Sequence, residues 1–444
     1  MRTVVVGGGP VGMFCGMSLA RRGQQVTVVD RDPGPPAAGG WARRGAMQFH
    51  HPHFFRHIVR QALLDTLPEA WDAVVEAGGI PARPDGFAEE MTGLRCRRST
   101  FERALWGVAR REPRLALRTG HADRLITGRG RVTGVIVDGR AIEADLAIVA
   151  GGRASRFADD TRPPAEGGAC GFSYIARMYR ARPGVQAPDS ALPMSSLYQG
   201  YLAMVFPQDG HTLSALIVRA ATDDALAQLR HDACFDELAP RIPQLAPWVD
   251  PGRFEPITGV MAGGHLTNTY RGQFGDGGPA VAGLFFAGDA VCTTNPAAGR
   301  GVSLGLRQAQ VLTGLLAAPR PDLAGAAEEF DAWCTGNIRP WYEDHVYWDA
   351  TLLRRFHGED IDLTARIPSD VVCAAAEKDP AIWAAAGPYL AMLAPPAILD
   401  AAQDQARAVL RSGWRPPYAA GPSRDELAGH LLALSQPRLT AALR

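Results

Sequence analysis

Gly7, Gly9 and Gly12 stand at G-x-G-x-x-G spacing, directly after the short apolar run of residues 3–6. The run reads as a buried strand. Phe14, Cys15, Leu19 and Ala20 then recur at helical spacing, and Gly23 suits the residue just past a helix end. Each glycine has a physical task. Gly7 permits a tight turn from strand to helix, Gly9 lets the backbone approach a pyrophosphate, and Gly12 lets the helix pack against the strand. Pro10 and Val11 open the helix, whose unpaired N–H groups and positive dipole end favour phosphate. A second strand, residues 26–29, ends in Asp30, an acid placed to accept hydrogen bonds from ribose hydroxyls. Arg31 beside it is a further candidate contact. Strand, glycine turn, helix and acid in this order predict a bound dinucleotide over an empty glycine-rich turn. The motif does not distinguish nicotinamide from flavin.

A second strand end lies far downstream. Residues 284–287 are apolar and close in Gly288-Asp289-Ala290. Pro296, Gly299, Arg300 and Gly301 then precede a long apolar helix through Leu316.

Three segments together resemble the class A FAD-dependent monooxygenases, the para-hydroxybenzoate hydroxylase-like family. They are GGGPVG at residues 7–12, the segment 132–155 that is similar to the family's β-meander and DG motif, and residues 283–306, similar to its GD motif and following helix. The resemblance spans roughly the first 320 residues. It implies FAD as cofactor, with Asp289 on the ribityl chain and the helix start at Gly299–Gly301, Arg300 included, aimed at the flavin N1–C2=O edge. Arg98, in R-x-x-F-E, and Arg43 or Arg44, in WARRGAMQ, resemble family residues beside the flavin. Two motifs depart from the pattern. Gly151 and Ala158 stand where the DG motif has Asp and Arg, and Cys292 replaces a frequent His, which opens how a pyridine nucleotide is handled. Cys292 reads as an inert packed thiol rather than a reactive one.

The resemblance implies oxygen transfer from a flavin C4a-hydroperoxide, giving hydroxylation or epoxidation of an apolar aromatic or olefinic molecule. A natural-product tailoring step suits the Arg-, Ala- and Gly-rich composition of a GC-rich bacterial genome. O2 is the co-substrate. Because no second complete G-x-G-x-x-G exists, NAD(P)H binds transiently, or a separate flavin reductase supplies the reductant. An FAD-dependent dehydrogenase or reductase acting by hydride transfer is the alternative, and a non-catalytic flavin-binding protein a further one. A flavin halogenase wants a lysine near its oxidant, and Lys378 is the sole lysine. No residue is assigned as catalytic. Tyr198, Tyr201, Tyr270 and His53 are candidates to orient substrate, each with a structural role as the competing reading.

The elements that must position these groups predict an α/β fold. A Rossmann-like FAD-binding domain takes residues 1–165 and 271–335. An antiparallel-sheet substrate domain is inserted at 166–270, and a C-terminal helical cap follows at 336–444. Within the insert, residues 171–182, 197–206, 211–218 and 254–261 read as strands, with Asp209-Gly210 as a hairpin turn. Arg177, Arg180 and Arg182 read as a solvated strand face. His50, His51 and His53 lack ligand spacing and predict no metal; Phe54 and Phe55 read as core. In the tail, residues 382–393 predict helix, interrupted by the Pro395-Pro396 and Pro416-Pro417 pairs.

Composition bounds the rest. The 444 residues are 46% hydrophobic with zero formal net charge, so a large core is available and nothing draws in nucleic acid. The seven cysteines, at 15, 96, 170, 234, 292, 334 and 373, include no C-x-x-C pair and suggest reduced thiols in a cytoplasm. No signal peptide precedes the first strand. No apolar run reaches the roughly 18 residues of a membrane span.

Overall fold

The computed structural model describes residues 1–43, 45–46, 48–83, 86–185, 194–275 and 277–442, the last eight of these as backbone alone. Its centre is a parallel sheet with strand order Leu284–Phe286, Leu146–Val149, Arg2–Val6, Gln25–Asp30, Leu115–Thr119. These strands are apolar runs because both faces of the central ones are covered. Pro10–Arg21 buries almost every side chain, lying close to both the Gln25–Asp30 strand and the helix Gly301–Leu315. The chain places its second and third sheet strands on one side of Arg2–Val6 and the last two on the other. This reversal is a switch point, and the C-terminal strand ends beside it open a crevice. A meander of Ala122–Gly128, Arg131–Val137 and Arg140–Glu143 begins upstream of the expected segment 132–155, which holds only its last two strands.

Among the described residues, the insert forms a six-stranded antiparallel sheet. Its order is Met194–Tyr198, Tyr201–Pro207, Thr212–Ala220, Phe172–Ala181, Phe254–Pro256, with Met261–Gly263 also paired to Phe172–Ala181. The stretch 254–261 is thus two short strands rather than one; Pro256 and Gly259 lie at the break. A second small sheet of Glu166–Ala169, Thr267–Tyr270 and Cys292–Thr293 ties the insert to the strand end at Gly288.

Arg177 corrects one expectation. It is buried, donating from Nε to the Thr258 carbonyl at 3.0 Å and pairing with Asp232 and Asp236. Helices of residues 226–249 cover that face of the sheet, so the strand is enclosed on both sides. Arg180 and Arg182, at its end, are exposed as expected.

The tail is helical: Leu323–Asn337, Arg339–Phe356, Ser369–Ala375, Trp383–Leu390, Gln403–Arg411 and Arg424–Ala442. Ile367, Val371, Tyr389, Leu399 and Leu410 share one apolar core with the parallel sheet, whereas Leu427 and Leu431 join the core beneath the insert. None of the described helices is long and apolar enough to cross a membrane. The described residues contain no group of three or more His, Cys, Asp and Glu side chains placed to hold a metal ion.

Candidate active site

A cavity of about 840 Å³ opens at the switch point, between the parallel sheet, the inserted sheet and the start of Gly301–Leu315. That is within the range of small-molecule and cofactor sites. Two helix N-termini face it.

The first is the glycine turn. Gly7 has φ +113°, and a Cβ there would lie 2.3 Å from the Ala150 carbonyl oxygen. A Cβ on Gly12 would lie 1.8 Å from the Gly7 oxygen, so helix and strand touch only because both residues lack side chains. Gly9, at the helix N-cap, differs. Its nearest foreign atom would be an Arg43 nitrogen at 3.8 Å. The space left by Gly9 is therefore cavity, as the close approach of a pyrophosphate requires. Pro10 and Val11 line it beside Gly9.

Asp30, at the next strand end, is held by the Gly8 N–H at 2.5 Å and the Asp32 N–H at 2.8 Å. Arg43 bridges it to Glu102, 2.5 Å from each carboxylate, and Glu102 accepts in turn from Arg98 at 2.5 Å. Burial would lower the Arg43 guanidinium, but the Glu102 and Asp30 carboxylates hold it above its usual range. Asp30, Arg31, Arg43 and Arg98 all line the cavity. Arg44 lies outside the described residues.

The second helix N-terminus lies beside the first. Gly288 has φ +69° and presses against the Val11 side chain, as does Gly305 one turn inside the downstream helix. A Cβ on Gly305 would come within 2.6 Å of Val11. These two glycines let the GD turn and both helix starts converge. Asp289 then faces into the cavity. Its carboxyl is open to that space but walled by protein elsewhere; burial pushes it above the usual carboxylate range, opposed by Arg98 and Arg153. Gly299, with φ +62°, Gly301 and Val302 line the same wall.

Residues 2–88 match the family model for FAD dependent oxidoreductases. Most of the chain superposes on solved flavoproteins. One is the flavin-dependent brominase Bmp2, at 16% identity and TM-score 0.63 over 93% of this chain and 98% of that one. Another is PqsL of Pseudomonas aeruginosa, described as a probable FAD-dependent monooxygenase, at 15% and 0.61 over 81% and 98%. A third is PyrE3, a Diels-Alderase of pyrroindomycin biosynthesis, at 19% and 0.53 over 83% and 82%. The fold is that of the FAD-dependent monooxygenases. No curated protein matches by sequence.

In this flavoprotein fold the described residues expected at the cofactor line one cavity, except Gly12, which packs helix against strand, and Arg300. Arg300 turns its side chain away from the cavity. It is buried among Trp341, Tyr389 and Trp348, with ring centres at 4.6, 4.8 and 5.5 Å, and reaches Asp344 at 3.2 Å. Only its backbone belongs to the helix start. Arg56, also enclosed, donates to the Ala298 and Leu390 carbonyls at 2.7 Å each. The flavin-fold loop 298–301 is thus clasped to the C-terminal helices by two guanidinium groups.

Gly151, in place of the expected Asp, has Ser155 Oγ only 2.7 Å from where its Cβ would stand. The strand end therefore offers backbone there. Cys292 is buried, and burial pushes its thiol far above the usual range, which suppresses thiolate chemistry. Lys378 is exposed beside Glu377 and does not line the cavity.

The remaining wall is apolar. Tyr174, Phe206 and Leu216 come from the inserted sheet, Leu266 from the loop beyond it, and Phe54 from the chain after His53. His51 and His53 line this end as neutral rings, pushed down by burial to about 4 and about 3. Of the four orienting candidates only His53 lines the cavity. Tyr198 and Tyr201 stack on each other at 4.9 Å in the core on the other face of the sheet, and the Tyr201 hydroxyl donates to the Pro422 carbonyl. Tyr270 packs against Tyr342, near Thr335. Tyr174 escaped sequence reading, although strand alternation from Arg177 puts residues 172, 174, 176 and 178 on the opposite, inward face.

Proposed function

We propose that this chain is an FAD-dependent monooxygenase that oxygenates a small, largely apolar aromatic or olefinic molecule. One observation carries the reading. A single cavity joins two helix N-termini and the Asp30 and Asp289 carboxylates at one end to an apolar wall of Tyr174, Phe206, Leu216 and Leu266 at the other. Bound FAD, once reduced, would supply the reaction of O2 and the oxygen transfer.

The residues present fit that group. The Gly9 helix start takes the pyrophosphate and Asp30 the adenosine ribose. Asp289 takes the ribityl hydroxyls, with Arg98 nearby as a compensating charge. The free N–H groups at Gly301 and Val302 favour negative charge on the pyrimidine edge of a reduced flavin. The apolar wall keeps water from the reacting atoms. NAD(P)H binding transiently, or a separate flavin reductase, supplies electrons, and the cytoplasm is the compartment that fits the free thiols. In this reading residues 1–165 and 271–335 bind FAD, the insert 166–270 carries the substrate wall, and the tail 336–444 caps the fold.

Bmp2 is named a brominase, but here the one lysine is exposed and does not line the cavity, so oxygenation is favoured over halogenation. Turnover of a candidate substrate under 18O2 with NADH or NADPH tests the reading. One labelled oxygen atom in the product supports it. An oxidised product without label points to hydride transfer, and equal turnover without O2 points to a reaction that does not use the oxidant.

A further inference from the structure

The helix Arg98–Ala109 begins with its charges the wrong way round. Arg97 and Arg98 stand at its N-terminus, where the helix dipole disfavours cations, and its first turn contains no acid. The missing acid comes from the inserted sheet. Asp209, in the hairpin between Tyr201–Pro207 and Thr212–Ala220, is 2% exposed and reaches this helix start. Its carboxylate accepts from the Arg97 backbone N–H at 2.5 Å, and from Arg97 Nη2 at 2.7 Å and Nε at 3.1 Å. It also accepts from the Thr100 hydroxyl at 2.7 Å. Asp209 thus makes the bond to the N-cap N–H that an acid at the third helical position, here Thr100, would make from within the helix. The hairpin holds the carboxylate in place, because the Thr212 N–H and hydroxyl both donate to the Asp209 carbonyl, at 3.2 and 2.7 Å.

The two elements joined at this point serve different ends of the cavity. The hairpin strands carry Phe206 and Leu216 of the apolar wall, and the helix carries Arg98. Arg98 lines the cavity, and its charge opposes the rise of the Asp289 carboxyl. It pairs with Glu102, Glu102 with Arg43, and Arg43 with Asp30. Through the neighbours Arg97 and Arg98, the hairpin acid therefore joins a chain of ion pairs that ends at the nucleotide acid. We propose that Asp209 is a positioning residue: it fixes the first turn of this helix and so holds Arg98 in the cofactor cavity, in register with the sheet that bears the apolar wall. Without it, two adjacent guanidinium groups are left at the positive end of a helix dipole, the first turn frays, and Arg98 is released with it. The inference rests on the reading of the cavity as an FAD site.

The test is a double-mutant cycle on FAD affinity, read from the change in FAD fluorescence on titration with full-length protein. Wild type, Asp209→Ala, Arg98→Met and the double variant are compared. Asp209→Ala should weaken FAD binding about tenfold when Arg98 is present, a coupling usual within one ion-pair network. In the Arg98→Met background the same change should cost less than about twofold. A purely structural Asp209 would give equal losses in both backgrounds. That result, or wild-type FAD affinity in Asp209→Ala, would overturn the proposal while leaving the cofactor assignment standing. Asp209→Asn, which keeps an acceptor for the Arg97 N–H and removes the charge, carries the same cycle should the alanine variant not fold. Wild-type protein that takes up no FAD at all would instead remove the reading beneath it.

Discussion

Arg43 lies 2.5 Å from the Asp30 carboxylate, 13 residues before it in the chain and at the far side of the glycine turn. The same guanidinium reaches Glu102, so one buried cation holds two anions beside the nucleotide end of the cavity. Arg43→Met leaves Asp30 without its cation and Glu102 with Arg98 alone. A loss of about 3 kcal/mol is expected, since removing one partner from an enclosed pair strands the other. Arg43→Lys should recover part of it, because a single ammonium cannot span both carboxylates. Urea unfolding of the three proteins measures the difference.

The glycines of the turn should separate by function. Gly12→Ala drives a Cβ to 1.8 Å from the Gly7 oxygen and should prevent stable folding. Gly9→Ala projects into open cavity, so the apo protein should keep its unfolding midpoint. Its FAD affinity should fall at least about tenfold as the methyl occupies the pyrophosphate path. Parallel melting and FAD titration read the two effects apart.

Arg300 distinguishes a positioning role from a contact. In the aromatic cage its loss exposes Asp344 as an unpaired buried acid, although Ser369 and Tyr389 still donate to it. Arg300→Met is expected to cost about 3 kcal/mol or more of stability, with flavin loss following only as the loop 298–301 loosens. A cofactor contact would show the reverse: weaker FAD binding at an unchanged unfolding midpoint.

Asp349 gives a pH signature. Burial pushes its carboxyl up to about 7, opposed by hydrogen bonds from the Asn268 and Asn295 amides. An unfolded carboxylate titrates near 4. Between these values the folded chain holds a proton that the unfolded chain releases. The stability contribution is therefore full below about pH 4 and is lost as pH rises toward 7, then stays level. Asp349→Asn removes this dependence. The stability of wild type relative to the variant should fall between about pH 4.5 and 7.5 in urea titrations, and stay level at higher pH.

The sequence made the nucleotide end legible because backbone geometry there demands glycine: no other residue fits Gly7 or Gly12, and the acid follows at a fixed distance along the next strand. The parallel strands at residues 3–6, 26–29 and 284–287 were equally plain as apolar runs, whereas the half-buried edge strand Leu115–Thr119 was not. The substrate end was not, since its chemistry is assembled from segments far apart in the chain. Asn268, Asn295 and Asp349 look unremarkable in sequence and acquire meaning only when the tail helix packs on the small sheet. Arg300 misled for a related reason. Its neighbours Gly299 and Gly301 line the cavity, but at a helix start adjacent side chains point in different directions, and what lay on the other side was the unread C-terminal region. Tyr198 and Tyr201 were placed on the right sheet. Their pairing across the hairpin shows that they share a face, and only tertiary packing reveals that this face is turned from the cavity.

Purified full-length protein, incubated with FAD and freed of excess by gel filtration, offers the most direct test. One FAD per chain, visible as a flavin absorbance band and recovered intact after denaturation, is the predicted result, with Gly9→Ala losing it while still folded. Folded wild-type protein that elutes without FAD at saturating concentrations would contradict the assignment of the cavity.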